Sequence, residues 1–377
     1  MKLLEIHTLK SLPVSCVNRD DANQAKTAIF GGVRRARISS QCYKRAIRQK
    51  AIALDPENFY GCRLDLGRQN DADLAKNLQL YCQENGFPKS LWEGIDAEIV
   101  AKFRKDFFKK PKKDTDGKNS SDAMIFISPM EIMACSQGNW KTAVGADIAL
   151  FGRMVAGNPA FNVEAAASFS HALSTHRVDP DADFFTCVDD LVAASEDGAG
   201  AGHLNLQSFQ SATYYYYIAI NLDMLFDEKH LNYMKEEKRG EFLKKFLEAV
   251  IESQPSAKQH SMNCETRPTV LAIVREGAPM QLCNAFERPI QAPREGGYLA
   301  PSLRMLLQEW KFAKKQWGLD GTNGWTLCEI SEYCKICEEA SARPVGLGNF
   351  LEQVSKCCLD LVTNGIASKL NGGFANG

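Results

Sequence analysis

Apolar and polar positions alternate at the very start of the chain, and the pattern over Leu3–Leu9 predicts a first β-strand. A loop follows and ends at the pair Gly31-Gly32. Ser39 and Ser40 are good N-caps for a helix that the pattern extends to about Ala53. The first fifty residues therefore predict a strand, a loop and a helix.

The rest of the chain divides into a helical stretch, a strand-rich stretch and a helical tail. Residues 59–151 have mainly helical spacing and include a polar run, 111–122, which predicts an exposed mobile loop. Further on, the pattern predicts strands over 166–178, 206–221 and 269–275, a helix over 236–253, and three helices after residue 302. Four consecutive tyrosines, Tyr214–Tyr217, lie in the second of these strands, and tyrosine favours strands.

Without the helical stretch and the tail, the order of elements is strand, helix, strand, strand, helix, strand. This order predicts an α+β protein with a ferredoxin-like core of the kind used by RRM-type RNA binders. Because that fold carries many unrelated functions, the order alone indicates RNA binding only weakly.

Composition narrows the class of protein without indicating a ligand. The 377 residues carry a net charge of −1, with 45% hydrophobic and 24% charged residues, which is typical of a globular protein. We find neither an apolar run of membrane-spanning length nor the apolar segment of a signal peptide. Thirteen scattered cysteines predict reduced thiols in a cytoplasmic protein.

The distribution of charge changes this picture. From Lys26 to Lys50 there are eight basic residues and no acidic one: Lys26, Arg34, Arg35, Arg37, Lys44, Arg45, Arg48 and Lys50. A solvated helix face normally mixes signs, because like charges at helical spacing repel by a few tenths of a kcal/mol per pair. A segment without any acidic residue therefore favours binding to an anion.

The basic residues are also ordered along the predicted helix. Gln41, Lys44, Arg45 and Arg48 follow the spacing i, i+3, i+4, i+7 and form one stripe, while Tyr43, Ile47 and Ala51 lie on another side and are predicted to face the core.

The start of this helix offers a second attraction for anions. The first amides of a helix have no intrahelical partner, and the helix dipole favours negative charge there. The small residues Ser39 and Ser40, followed by Gln41, would let a phosphate approach, and Arg35 and Arg37 would extend the track. The sequence thus predicts a row of phosphate contacts whose affinity falls steeply with salt.

Four other groups of residues allow a functional and a structural interpretation. Asp20-Asp21 could hold a metal ion for cleavage of RNA, but a loop cap or an ion pair with Arg19 is favoured. The C-x-x-C of Cys334 and Cys337, near Cys328, could bind zinc, but buried small residues are favoured, so no metal or other cofactor is predicted.

The remaining candidates are histidines and tyrosines. His171 and His176 lie five residues apart on one predicted strand, so they should point to opposite faces and share no ligand. The tyrosine run could stack on bases, although packing in the core is favoured.

One long segment resembles a known family. The run from Cys16 to Arg48 contains C-x-N-R-D-D, K-x-A-I-F-G-G and R-x-R-I-S-S-Q-x-x-K-R-A, which are similar to the N-terminal signature of the CasC family. Four later segments are also similar: Gly145–Met154, His176–Leu191, His203–Leu222 and Asn284–Glu287. Members of this family form the backbone of the CRISPR Cascade complex, and the resemblance is to the subunit of a type I-E-like Cascade.

The resemblance implies a shape like a right hand. It divides the chain into the first part of an RRM-like palm (1–58), a helical finger insertion (59–151), more palm (152–189), a long β-hairpin thumb (190–214), palm again (215–290) and C-terminal helices packed on the palm (291–377). Related backbone subunits of RNA-cleaving CRISPR systems have a catalytic aspartate in the loop that corresponds to Asp20-Asp21, which keeps the ribonuclease alternative open.

The resemblance also implies function and contacts. We expect a non-catalytic subunit of the antiviral complex that binds the guide RNA (crRNA), multimerises head to tail, and presents guide bases to target DNA. CasA-, CasB-, CasD- and CasE-type subunits are the other expected partners. The expected RNA-binding residues are Arg19, Lys26, Arg35, Arg37, Ser39, Ser40, Gln41, Lys44, Arg45, Arg48, Met154 and His203.

Overall fold

The first strand lies at the centre of a large sheet in the computed structural model. This structure describes residues 1–67, 69–108, 124–136, 144–155, 158–188, 201–319, 322–328, 331–339 and 342–372. Strand β1 (Lys2–Ser15) pairs on both sides with antiparallel neighbours, and eight consecutive residues, 3–10, are buried. The predicted strand Leu3–Leu9 is confirmed and is longer than the sequence indicated.

The other strands follow in chain order. They are β2 (Thr27–Phe30), β3 (Val33–Ile38), β4 (Cys62–Asp65), β5 (Met124–Ile127), β6 (Ala167–Phe169), β7 (Ala172–Ser174), β8 (Asp181–Val188), β9 (Ala201–Asn221), β10 (Thr269–Glu276), β11 (Asn323–Leu327) and β12 (Arg343–Pro344). Within the described residues ten strands form one sheet in the order β12-β11-β10-β1-β9-β7-β3-β2, and β6 and β8 also pair with β9. Among the strands that the structure describes, only β11 and β12 pair in parallel, and β4 and β5 form a separate two-stranded ribbon.

Helices cover both faces of this sheet. They are α1 (Ser40–Leu54), α2 (Asp71–Glu84), α3 (Ala97–Phe107), α4 (Pro129–Ser136), α5 (Ala146–Phe151), α6 (Leu222–Leu225), α7 (Glu236–Glu252), α8 (Leu299–Gln316), α9 (Ser331–Glu339) and α10 (Leu347–Gly372). No helix in these ranges combines the length and the apolar composition that crossing a membrane would require.

Two hydrophobic cores lie on opposite faces of the sheet, and the tyrosine run contributes to both. Tyr214 and Tyr216 belong to the core that includes α1, α7 and α10, whereas Tyr215 and Tyr217 belong to the core under α8 and α9. All four are at least 94% buried. Because successive strand residues point to opposite faces, one strand can fill two cores. The favoured interpretation of the tyrosines as core residues is confirmed.

Several predicted elements are confirmed with changed boundaries. Residues 59–151 contain α2–α5, as expected, but also the ribbon β4–β5, whose two four-residue strands are too short to give a clear alternation. The tail contains the three predicted helices α8–α10 together with β11 and β12, which the sequence did not reveal. The polar run 111–122 lies outside the described residues.

The strand predicted over 166–178 is wrong as a single strand. It is divided into β6 and β7 at Ser170, whose hydroxyl accepts the Tyr217 amide at 2.8 Å and so takes the place of a backbone carbonyl. His171 and His176 therefore do not share a strand. His176 is buried and stacks on Tyr298, with ring centroids 3.6 Å apart.

The mixture of a large antiparallel sheet with helices on both faces confirms the α+β class. β8 and β9 form a hairpin that pairs from Asp181 opposite Phe209 to Val188 opposite Ala201. Residues 189–200, between these two strands, lie outside the described residues.

Buried polar groups on β1 are paired across the sheet. The Glu5 carboxylate accepts hydrogen bonds from the Arg275 guanidinium, the Tyr217 hydroxyl and the Met280 amide. His7 lies 3.0 Å from the Tyr215 hydroxyl, through Nδ1. Burial, followed by the nearby charge of Arg275, lowers the pKa of His7 to about 3.

This His7 pKa predicts acid sensitivity. An unfolded chain takes up a proton on histidine below pH 6.5, whereas the folded protein does not, so stability is lost as the pH falls from 6.5 towards 3. Between pH 6.5 and pH 4.5 the free energy of unfolding should fall in both proteins. We expect this fall to be about 2–3 kcal/mol smaller in His7→Phe than in the wild type, as measured by urea denaturation at each pH. The exposed His260 provides the control His260→Gln. Equal pH slopes for wild type and His7→Phe would contradict the assignment.

Candidate nucleic-acid interface

Helix α1 separates an apolar face from a basic face, as the sequence predicted. Ser39 is its N-cap, and Tyr43, Ile47 and Ala51 are buried in the core. Tyr43 stacks on Tyr216 of β9, with ring centroids 4.5 Å apart. This packing fixes the rotation of the helix about its axis, and the basic stripe therefore faces outward.

A groove of about 1030 Å³ runs along this basic face. It is lined by Asn18, Ser39, Gln41, Cys42, Lys44, Arg45, Arg48, Arg63, Ile125, Phe126, Phe151, Gly152, Arg153 and Met154. The structure thus brings six predicted residues into one groove: Ser39, Gln41, Lys44, Arg45, Arg48 and Met154. The last of these is 86% exposed.

Two cations of the stripe lie over aromatic rings. Lys44 Nζ is 5.1 Å from the centroid of the Phe169 ring, and Arg48 Cζ is 4.7 Å from that of Phe126. Both cations are half-buried, and burial lowers the pKa of Lys44. Cation–π contacts orient a side chain without neutralising it. The two positive charges are therefore held in place and remain available to a phosphate.

The start of α1 is less open than the sequence suggested. The Ser39 amide donates to Asn18 Oδ1 at 2.9 Å, and the Ser40 amide donates to His171 Nδ1 at 3.0 Å. Burial, then the charges of Arg37 and Lys26, lower the pKa of His171, consistent with a nitrogen that accepts. The amides of Ser39 and Ser40 are thus occupied within the protein, and the expectation that they receive a phosphate is not supported.

Arg35 is placed in the interior, against the expectation that it extends the phosphate track. Its side chain is fully buried, and its guanidinium donates to the carbonyls of Phe30, Ser174, Phe286 and Glu287 at 2.8–3.2 Å. Burial lowers the pKa of Arg35. The five N–H donors of a guanidinium suit a site where several carbonyls converge. The pattern of charges along the sequence cannot distinguish such a buried arginine from an exposed one.

The carbonyls around Arg35 are brought together by a tight turn. Gly31 and Gly32 join β2 to β3 with φ angles of +58° and +75°, which favour glycine. A Cβ atom on Gly31 would overlap the carbonyl oxygen of Glu287. The Gly31-Gly32 pair therefore lets the β2–β3 hairpin pack closely against Glu287, the last residue of the Asn284–Glu287 motif.

Three other predicted contacts, Arg19, Lys26 and Arg37, are not among the described residues that line the groove. Arg37 and Lys26 are half-buried and adjacent, because the Arg37 amide donates to the Lys26 carbonyl at 2.9 Å. Arg19 is exposed and donates to Asn23. His203 lies on β9 opposite Cys187, and its side chain is outside what the structure describes.

The alternative sites also find structural roles. Asp20 Oδ1 accepts the amides of Ala22 and Gln24 at 3.0 and 2.9 Å, which is the favoured loop cap, and Asp21 is exposed. Cys328 Sγ lies 3.4 Å from Cys337 Sγ. In the part of the chain that the structure describes, no three His, Cys, Asp or Glu side chains are arranged to hold a metal ion.

Sequence reasoning missed the residues on the opposite side of the groove. Arg153 is buried, forms an ion pair with Glu131 at 2.9 Å, and donates to the carbonyls of Phe126 and Phe161 at 3.1 and 2.7 Å. Arg153 directly precedes Met154 in the segment Gly145–Met154, whose similarity to the CasC family already singled out this part of the chain. Arg63 and Phe126 carried no signal, because their strands went unrecognised.

Comparisons with known proteins agree with this architecture. A family model described as CT1975-like protein matches residues 4–350. A chain from a "CRISPR RNA-guided surveillance complex, pre-nicking" aligns with a TM-score of 0.68 and 23% identity, covering 93% of this chain and 100% of that one. A chain from another "CRISPR RNA-guided surveillance complex" has a TM-score of 0.59 and 23% identity, covering 93% and 98%. These two similarities show a shared fold. No curated protein matches the chain.

The buried position of Arg35 predicts a cost in stability. Arg35→Lys would leave several of its carbonyl partners without a donor, and we expect the free energy of unfolding to fall by about 3 kcal/mol in urea denaturation. The neighbouring Arg34 is exposed, so the matched control Arg34→Lys should change it by less than about 0.5 kcal/mol. Equal stability of the two variants would argue against the buried site.

Proposed function

The chain belongs to the CT1975-like protein family, which confirms the family predicted from its motifs, and on that premise we propose that it is a guide-RNA-binding backbone subunit of a CRISPR surveillance complex. The observation that carries the proposal is the groove along α1. Its described lining includes Lys44, Arg45 and Arg48 and no acidic side chain.

The chemistry of the groove suits a sequence-independent hold on RNA. A guide must present any spacer sequence, so its protein should contact phosphates and leave base edges free to pair with target DNA. Lys44, Arg45 and Arg48 offer charge without the paired donors and acceptors that read a base. Met154, almost fully exposed at the groove, supplies an apolar surface on which a base can pack.

The assembly follows from the same proposal. The large sheet with α1 would be the RRM-like palm, the insertion with α2–α5 the fingers, and the hairpin β8–β9 the thumb. Copies that stack head to tail along the RNA make contacts that need not close into a ring, so the RNA sets the length of an open helical array. CasA-, CasB-, CasD- and CasE-type subunits complete the proposed complex.

We further propose that this subunit does not cleave RNA. Asp20, the first residue of the only candidate pair from the sequence, uses Oδ1 to hold its own loop together. This oxygen is engaged in capping the loop and is not offered to a metal ion. Cleavage of nucleic acid would then belong to other subunits of the complex.

Removing two charges of the stripe should weaken RNA binding equally for all sequences. For Lys44→Ala with Arg48→Ala we expect at least tenfold weaker binding near 0.15 M salt. The slope of log K against log salt should become shallower by about 1.4, or 0.7 for each lost phosphate contact. The measurement is fluorescence anisotropy with three single-stranded RNAs of equal length and unrelated sequence.

A matched control removes two exposed lysines of α8, Lys311→Ala with Lys315→Ala, and should bind as the wild type does. A loss that depends on RNA sequence would contradict phosphate contacts, and unchanged binding by the stripe variant would remove the groove from the proposal.

Incubation with Mg²⁺ tests the non-catalytic role. Guide RNA bound to the wild-type protein should stay intact on a denaturing gel over hours, with or without Mg²⁺, and Asp21→Ala should behave identically. RNA cleavage that requires Mg²⁺ and disappears in Asp21→Ala would replace our proposal with a metal-dependent ribonuclease.

A further inference from the structure

The ribbon β4–β5 contributes a cation to the groove that the basic segment of the sequence does not contain. Arg63 of β4 is exposed and lines the groove. It lies opposite Phe126 of β5 in the antiparallel register, and Phe126 is the residue whose ring contacts Arg48. Two strands of the finger insertion therefore meet the second half of the α1 stripe.

Unlike Arg104 and Lys50, Arg63 forms no ion pair with any acidic side chain that the structure describes. Arg104 of α3 pairs with Asp71 at 2.9 Å, and Lys50 of α1 pairs with Glu252 at 2.7 Å. Among the ion pairs that the described residues form, none includes Arg63. An exposed guanidinium beside three other cations raises the positive potential of the groove, and its planar donors fit a phosphate.

The ribbon is held firmly against the rest of the groove. The Gly61 amide, just before β4, donates at 2.7 Å to Asp147, a buried residue of α5. A Cβ atom on Gly61 would overlap the Asp147 carboxylate and lie 2.7 Å from the Phe126 ring, so glycine permits this close approach. On the other strand, Arg153 donates to the Phe126 carbonyl. Both strands are thus anchored to buried groups.

Burial of Asp147 raises its pKa to about 6, and the positive charge of Arg48 opposes this rise. The buried carboxylate therefore lies within electrostatic reach of Arg48. Arg48 lines the groove, and the Phe126 ring lies beside its guanidinium, with its centroid 4.7 Å from Arg48 Cζ. Such a side chain is oriented before a ligand arrives, and less conformational entropy is lost on binding.

We propose that the β4–β5 ribbon is a second RNA-binding wall, in which Arg63 contacts a backbone phosphate of the RNA held on α1 and Phe126 is a positioning residue for Arg48. The inference rests on the proposed function and adds to it a contact from the finger insertion. The ligand is the sugar–phosphate backbone of single-stranded RNA, and the contact is independent of sequence.

Arg63 is tested with the full chain and a single-stranded RNA in anisotropy titrations at several salt concentrations. Arg63→Ala should bind about fourfold more weakly near 0.15 M salt, with a salt slope shallower by about 0.7, whereas Arg63→Lys should keep the wild-type slope. The control Lys76→Ala removes an exposed finger lysine on α2 that does not line the groove, and it should match the wild type.

Phe126 is tested by its coupling to Arg48. In an otherwise wild-type chain, Phe126→Leu should weaken RNA binding about two- to fivefold. Phe126→Trp, which keeps an aromatic ring at this position, should bind RNA as the wild type does. In an Arg48→Ala background, Phe126→Leu should have no further effect, whereas a merely structural loss would persist there. Urea denaturation of each variant shows that it is folded at the temperature of the titration.

The outcomes separate the two proposals. If the wild type binds RNA through Lys44 and Arg48 but Arg63→Ala keeps its affinity and slope, the second wall is wrong and the guide-binding function stands. An additive effect of Phe126→Leu in the Arg48→Ala background overturns the positioning role. If the wild type binds no RNA at low salt, both proposals fall.

Discussion

Burial of a single central strand on both of its faces is the constraint on which the rest of this structure depends. β1 is covered by α1, α7 and α10 on one side and by α8 and α9 on the other. The middle of a strand in that position cannot meet solvent, so its charged groups need partners within the protein, as Glu5 has in Arg275. The groove is accordingly built away from this strand, from the outer face of α1 together with the β4–β5 ribbon and residues 151–154.

Helix α1 meets this constraint with a strict division of its surface. Tyr43, Ile47 and Ala51 close one core, and this leaves Lys44, Arg45 and Arg48 on the face turned away from it. A chain of near-neutral net charge thereby presents a concentrated positive surface. Salt bridges neutralise some other cations, such as Lys50, whereas the aromatic rings of Phe169 and Phe126 support Lys44 and Arg48 without cancelling their charge.

The sequence predicted what depends on local periodicity and missed what depends on contacts distant in the chain. The stripe of α1, the long strand β9 and the core position of Tyr214–Tyr217 all follow from the spacing of residues. Arg35 shows the limit: in the sequence it is one more basic residue beside Arg34, yet its partners Ser174, Phe286 and Glu287 lie more than 130 residues away. The short strands β4 and β5 were missed because four residues show too little alternation, and Arg63 was missed with them.

Strand β9 joins the β8–β9 hairpin to the central sheet. Its 21 residues, about 70 Å at an extended rise, begin in the hairpin with β8 and end beside β1. The hairpin is therefore a direct extension of a strand whose other end is paired within the central sheet. Because β9 is continuous, the direction in which the hairpin leaves the sheet is set by the pairing of β9 with β1. If copies of the chain follow one another along a strand of RNA, the distance between successive hairpins would depend on the dimensions of each subunit's sheet and not on the RNA.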